Sequence, residues 1–131
     1  MGWGMGAALG VSLGSGGSPA VCIVGDGSAL YAPQALWSAG RLGLPVVFVV
    51  FNNRQYQILK RFLRQRDGVS AHSGRYVGVE LGDPAPDFVS LAHSFGVDAV
   101  MVTGAAELAE VVRMAIERRS PFVVEVPLQS E

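Results

Sequence analysis

Two short groups of residues in this chain are of the right types to hold a cation and a phosphate. The first is Gly25-Asp26-Gly27-Ser28 and the second is Asn52-Asn53. Asp26 offers a carboxylate oxygen and Asn53 an amide oxygen. No cysteine or histidine adjoins either group, and hard oxygen donors suit Mg²⁺ or Ca²⁺ rather than softer ions. Mg²⁺ usually completes its octahedron with phosphate oxygens and water. Gly25 and Gly27 let the backbone approach a phosphate closely, and Ser28 adds a hydroxyl and an amide. Taken singly, Asp26 and Asn53 read as turn residues. Taken together, with the flanking glycines, they read as a Mg²⁺-bridged diphosphate site.

Such a site needs elements that bring the two groups together. Residues 20–24 run apolar into Gly25, and residues 45–51 run apolar into Asn52. Both runs are continuous and rich in β-branched residues, which predicts parallel strands buried on both faces. In an open parallel sheet, ligands gather beyond the C-terminal strand ends. Asp26 and Asn53 are 27 positions apart, about the length of one βαβ unit. They then share a rim whether or not their strands are neighbours. Two more strands are expected at 97–102 and 121–126.

Helical patterns lie between the strands. Residues 4–13 form a Gly-rich first helix, and 32–42 place Ala35, Leu36, Ala39 and Leu42 on one face. Asp87 is positioned to cap a helix whose stripe is Phe88, Leu91, Ala92 and Phe95. Thr103 is expected to cap another, striped by Leu108, Val111, Val112, Ala115 and Ile116. That helix ends in Arg118 and Arg119, which suits the helix dipole. The alternation predicts an α/β fold, a three-layer sandwich with a mostly parallel sheet. Residues 66–86, with Gly68, Gly74, Gly78, Gly82, Pro84 and Pro86, read as one long loop.

At 131 residues, with no internal boundary, residues 1–131 read as a single domain. Half the chain is hydrophobic and 16% is charged, which is rich for a small soluble monomer and points to surface that meets another domain or subunit. A net charge of −1 gives no field that favours nucleic acid. The longest apolar run, 44–51, is far below the roughly 20 residues that span a bilayer. Neither nucleic acid nor membrane is expected as a partner. Cys22 is the single cysteine, which fits a reducing, cytoplasmic location.

The residues Gly25-Asp26-Gly27-Ser28 followed by Asn52-Asn53 resemble the GDG…NN signature of thiamine diphosphate enzymes. The resemblance extends over nearly the whole chain. Leu36-Trp37-Ser38-Ala39, the 45–53 run, Tyr56, Leu59 and the segment from Asp87 to Val97 look most like benzoylformate decarboxylase and related 2-oxoacid decarboxylases. It implies thiamine diphosphate and Mg²⁺ as cofactors. It assigns the metal to Asp26, Asn53 and the backbone carbonyl of Gln55, and the cofactor to Met1, Gly2, Gly25, Gly27, Ser28 and Tyr56. Met1 falls where the family places a bulky apolar residue under the bent cofactor. Ile58, Leu59 and Phe62 map to a helix that borders the substrate pocket. The implied reaction is C–C bond cleavage of a small-molecule 2-oxoacid through a carbanion at C2 of the cofactor. The family's activating Glu belongs to a pyrimidine-binding domain supplied across an interface of a homo-oligomer. Glu80, Glu107, Glu110, Glu117, Glu125 and Glu131 lie away from its expected place, so no catalytic residue is assigned to this chain. The domains that precede this one in the family are expected to be missing, and the isolated chain is expected to be inactive.

Other readings stand beside this one. An acetolactate-synthase-like carboligase would share every motif named so far. A non-catalytic fragment or subunit that only folds and associates needs no cofactor, and a flavodoxin-like mononucleotide binder would share the fold class. Gly2-Trp3-Gly4-Met5-Gly6-Ala7 fits a dinucleotide fingerprint formally, but no strand precedes it. Arg54, Lys60, Arg61, Arg64 and Arg66 read as a solvated helix face. His93 reads as structural, His72 as a loop residue, and Tyr31 and Trp37 as core or interface anchors.

Overall fold

In the computed structural model, which describes residues 1–129, the apolar runs form four strands: β1 Ala20–Gly25, β2 Val46–Asn52, β3 Asp98–Met101 and β4 Phe122–Pro127. Glu131 lies outside the described residues. The strands are all parallel and lie in the order β1-β2-β4-β3. Alternation of side chains sends Val46, Phe48 and Val50 of β2 to one face and Val47 and Val49 to the other. The helices α1 Trp3–Gly14, α3 Gln34–Leu42 and α6 Phe88–Ser94 cover the first face through Met5, Ala8, Leu36, Ala39, Phe88 and Ala92. Helix α7, Ala105–Arg118, covers the second through Ala115 and its partly buried neighbours Leu108, Val111, Val112 and Ile116. This is the three-layer α/β sandwich expected from the alternation of strands and helices.

Three local expectations need correction. Strand β1 is buried on one face only: Cys22 and Val24 enter the core, but Val21 and Ile23 are exposed. It lies at the sheet edge, and α7 packs on β2 and β4 rather than over it. The cap of α7 is Gly104, with no side-chain hydrogen bond, so Thr103 does not cap it. Residues 66–86 are not a featureless loop. They contain a short helix α5, Val69–Ser73, and bury Tyr76 and Val79. Glu80 pairs with Gln55 in an isolated antiparallel bridge. Glycine spacing hid these features because they rest on contacts remote in sequence.

Helix ends follow local chemistry. Gly43, at φ 60°, turns the chain out of α3 in the left-handed region, where the absence of a Cβ removes the steric penalty. Asp87 caps α6 as expected, its carboxylate accepting from the Ser90 N–H at 2.8 Å and from the Ser90 hydroxyl at 2.7 Å. The Ser90 backbone N–H holds the Asp87 carboxyl below the usual carboxylate range. A lowered folded-state pKa contributes stability above the unfolded value and loses it as pH falls through the folded value. Asp87→Ala is therefore expected to lower unfolding free energy by about 1 kcal/mol at pH 7. Asp87→Asn should retain most of the cap. Urea titration checks this, and the Asp87→Ala deficit should shrink as pH drops into the carboxylate range.

Candidate functional site

Strand β1 ends at Gly25 opposite Phe51 of β2, so Asp26 and Asn53 leave adjacent strands at the same rim. Asp26 opens the single-turn helix α2, Asp26–Ala29, and is only 3% exposed. Its Oδ1 accepts from the Gly27 N–H at 2.8 Å. Its Oδ2 is buried and has no hydrogen-bond partner among the described residues. Burial pushes the Asp26 carboxyl above its ordinary range. The backbone N–H groups of Gly27, Arg54 and Gln55 oppose that rise. Asp26, Asn53 and Gln55 line one cleft, so Asp26 lies beside the turn that carries Asn53.

That turn is built by amide side chains and a left-handed residue. Asn52 Oδ1 accepts from the Arg54 N–H at 3.1 Å, and Asn53 Oδ1 accepts from the Gln55 N–H at 3.2 Å. Arg54 itself sits at φ 56°, a region non-glycine residues adopt at a cost. The 76–81 segment holds the turn in place. Tyr56 N–H donates to the Val79 carbonyl at 2.8 Å, and Leu81 N–H to the Arg54 carbonyl at 2.7 Å. Lys60 bridges Gln55 Oε1 and Glu80 Oε1, each at 3.0 Å, and lies over the Tyr76 ring. The side chain of Gln55 is thus engaged by Lys60.

These pieces surround a cleft of about 280 Å³ lined by Met1, Gly25, Asp26, Gly27, Ser28, Phe51, Asn53, Gln55, Tyr56, Gln57, Ile58 and Leu128. Tyr56 forms one wall. Its hydroxyl donates to the Gly27 carbonyl at 3.4 Å, and its ring stands edge-on to Tyr31 at 6.4 Å. A Cβ on Gly27 would fall 2.3 Å from the Tyr56 ring, so only glycine permits this contact. Gly2 is not in the cleft wall but backs it. At φ 81°, it abuts Tyr31, whose Cβ would lie 2.8 Å from a Cβ on Gly2.

The structure brings together eight of the residues the sequence singled out for metal or cofactor: Met1, Gly25, Asp26, Gly27, Ser28, Asn53, Gln55 and Tyr56. Of the three proposed for the substrate, Ile58 lines the cleft, whereas Leu59 and Phe62 lie outside its lining on α4, Gln57–Gln65. All three are exposed, and Arg66 lies over the Phe62 ring at 4.7 Å. The basic stretch is mostly solvated, with Lys60 the clear exception. His93 and His72 are both exposed, and Tyr31 and Trp37 are more than half exposed and so not core anchors. No cluster of three or more His, Cys, Asp or Glu side chains able to hold a metal occurs among the described residues. A cation here would have to rest on one carboxylate, amide and carbonyl oxygens, and the ligand's own oxygens. No helix is long and apolar enough to cross a membrane among the described residues.

Sequence reasoning missed one polar pair beneath the turn. Glu125, on β4, is 2% exposed, and Asn52 is 4% exposed. Asn52 Nδ2 donates to Glu125 Oε1 at 2.7 Å, while Glu125 Oε2 accepts from the Phe88 N–H at 3.2 Å. A glutamate between valines in a core strand was the available signal.

Comparison with known proteins identifies the family. The model of the thiamine pyrophosphate enzyme C-terminal TPP-binding domain matches residues 1–126. A Mycobacterium tuberculosis protein described as an acetolactate synthase large subunit is 35% identical over 99% of this chain and 25% of its own length. Benzoylformate decarboxylase of Pseudomonas aeruginosa is 32% identical over 99% of this chain and 23% of its own. The solved structure of a thiamine diphosphate-dependent 4-hydroxybenzoylformate decarboxylase from Rhodococcus jostii RHA1 superposes with a TM-score of 0.86 at 32% identity, covering 100% of this chain and 24% of that one. The chain thus spans about a quarter of the length of these relatives. It belongs to the C-terminal TPP-binding domain family of thiamine pyrophosphate enzymes.

Proposed function

We propose that this chain is the diphosphate- and Mg²⁺-binding part of a thiamine-diphosphate-dependent 2-oxoacid decarboxylase of the benzoylformate type. One observation carries the metal assignment: a buried carboxylate oxygen of Asp26 with no partner among the described residues, in a cleft it shares with Asn53. Burying a carboxylate is unfavourable unless a cation or hydrogen bonds compensate it. In this reading Asp26, the Asn53 amide oxygen and the Gln55 carbonyl hold Mg²⁺, which takes its remaining ligands from diphosphate and water. Gly25, Gly27 and Ser28 receive the diphosphate, Tyr56 closes over Gly27, and Met1 supports the cofactor's apolar side while Gly2 packs on Tyr31 outside the cleft lining. Ile58, Leu59 and Phe62 border the 2-oxoacid.

Thiamine diphosphate, when bound, supplies the electron sink for cleavage beside the 2-oxo carbon. The chain's own residues anchor and orient it and keep water from its diphosphate. Among the described residues no glutamate lines the cleft; Glu80 and Glu117 pair with Lys60 and Arg113, and Glu125 binds Asn52. The activating Glu then comes from a pyrimidine-binding domain across the interface of a homo-oligomer, and the chain alone has no decarboxylase activity. The exposed Trp3, Ile23, Trp37 and Ile58 supply apolar surface for such a neighbour. The occurrence of acetolactate synthases among the relatives supports a carboligase as the second reading. Product analysis of the assembled enzyme with pyruvate separates them, acetolactate against free aldehyde.

Calorimetry tests the site. Thiamine diphosphate should bind with Mg²⁺ and give no heat when chelator removes it, and Asp26→Ala or Asn53→Ala should weaken binding at least about tenfold. Equal heats with and without Mg²⁺ would contradict the proposal. A second test concerns stability. The raised Asp26 pKa means that its folded-state contribution is full in acid and is lost as pH rises through the raised value. Asp26→Asn removes the buried charge, so the metal-free chain should melt about 2–4 °C higher at pH 7. The gain should fade as pH drops below the raised Asp26 value, because the native side chain is then neutral too.

A further inference from the structure

Glu125 is out of place on simple grounds. It sits in β4 between Val124, fully buried, and Val126, 9% exposed, and it is itself 2% exposed. Its partners are an amide and a backbone N–H rather than a cation. The register sets Val50 directly opposite Glu125, which puts Asn52 in the diagonal position on the same face. The carboxylate then reaches the end of β2 and the start of α6 at once.

The hydrogen bonds form a directed chain. Glu125 Oε1 accepts a hydrogen bond from Asn52 Nδ2 at 2.7 Å, which fixes which way the Asn52 amide faces. The Asn52 oxygen is thereby turned to the Arg54 N–H, at 3.1 Å. That bond closes the turn in which Arg54 takes its left-handed conformation and which lines the cleft beside Asp26. Asn53 and Gln55, the two proposed metal ligands from this strand end, lie on the same turn. A buried acceptor that merely filled space would gain nothing over valine here, and its desolvation would cost stability.

We propose that Glu125 is a positioning residue for the cofactor turn: through Asn52 it fixes the 52–55 segment that presents Asn53 and Gln55 beside Asp26. Its consequence for cofactor binding rests on the Mg²⁺-diphosphate reading above. Its consequence for the turn does not.

An exchange of chemical roles tests it in the 131-residue chain. Glu125→Gln alone sets an NH₂ against either Asn52 Nδ2 or the Phe88 N–H, donor against donor. Asn52→Asp combined with Glu125→Gln restores every strong contact with donor and acceptor reversed. The carboxylate at 52 accepts from the Arg54 N–H and from the amide at 125, whose oxygen still accepts from Phe88. Only the 3.5 Å contact from Asn52 to the Pro86 carbonyl is lost. Amide hydrogen exchange is read first without metal or cofactor. Glu125→Gln should speed exchange at Arg54 about tenfold while Val47–Val50 keep their protection, and the double variant should restore it. Mg²⁺-dependent thiamine diphosphate affinity should follow the same pattern, falling about tenfold and recovering to within about threefold. Should Glu125→Gln not fold, Asn52→Ser carries the same expectation at Arg54. Unchanged Arg54 exchange in the single variant, or a folded double variant that recovers neither exchange nor affinity, overturns the proposal. If the unmodified chain binds no thiamine diphosphate, the functional reading falls, while the exchange comparison still decides whether Glu125 sets the turn.

Discussion

A carboxylate withdrawn from water must find hydrogen bonds or a cation, or it destabilises the fold that buries it. Asp26 is in that position. One oxygen is met by the Gly27 amide, the other by nothing among the described residues, and the net effect of its surroundings is to disfavour its charge. The rest of the rim can be understood as what is needed to hold that carboxylate in place without neutralising it. Gly27 must lack a side chain so that Tyr56 can close over the turn. The turn at 52–55 must stay folded so that its amides and oxygens face Asp26. The 76–81 segment and Lys60 brace that turn from outside, and Glu125 with Asn52 braces it from within.

The parallel sheet is the reason these parts can meet. Neighbouring parallel strands end at the same edge, so residues that follow β1 and β2 converge although 27 positions separate Asp26 from Asn53. The core that fixes the two strands is built mainly of Val, Ala and Phe, small, branched or planar side chains packed from both faces of β2. Apart from Ser12 on α1, the buried polar side chains among the described residues, Asp26, Asn52, Gln55 and Glu125, gather toward the C-terminal side of the sheet. Precision at the site is thus inherited from packing several residues away, which is how a scaffold imposes geometry on a binding turn.

Much of this was readable in the sequence, for identifiable reasons. Strands such as β2 announce themselves because a doubly buried strand has no polar alternation, and Asp87 announces α6 because capping is a local hydrogen bond. Gly25 to Ser28 and Asn52-Asn53 could be joined because strand ends carry ligands in this fold class. What could not be read depended on contacts remote in sequence. Nothing local tells that α7 leaves Val21 and Ile23 of β1 uncovered, or that Glu80 bridges to Gln55 across the supposed loop. Glu125 looked like one more acid in the C-terminal half until its distance to Asn52 was known. Leu59 and Phe62 were placed by resemblance alone, and both are exposed on α4, outside the cleft lining.

The central claim is that Asp26 and Asn53 grip one divalent ion that also touches diphosphate. Mn²⁺ in place of Mg²⁺ reports this directly, because its unpaired electrons broaden the resonances of surrounding nuclei, most strongly those closest to the ion. With Mn²⁺ and thiamine diphosphate added to the chain, the Gly27 amide and the Asn53 side-chain amide should both broaden, and Asp26→Ala should abolish both effects while the ³¹P signals, which Mn²⁺ broadens in the free complex too, stay broad. Broadening of the ³¹P signals with Gly27 and Asn53 left sharp would place the ion elsewhere and contradict the account.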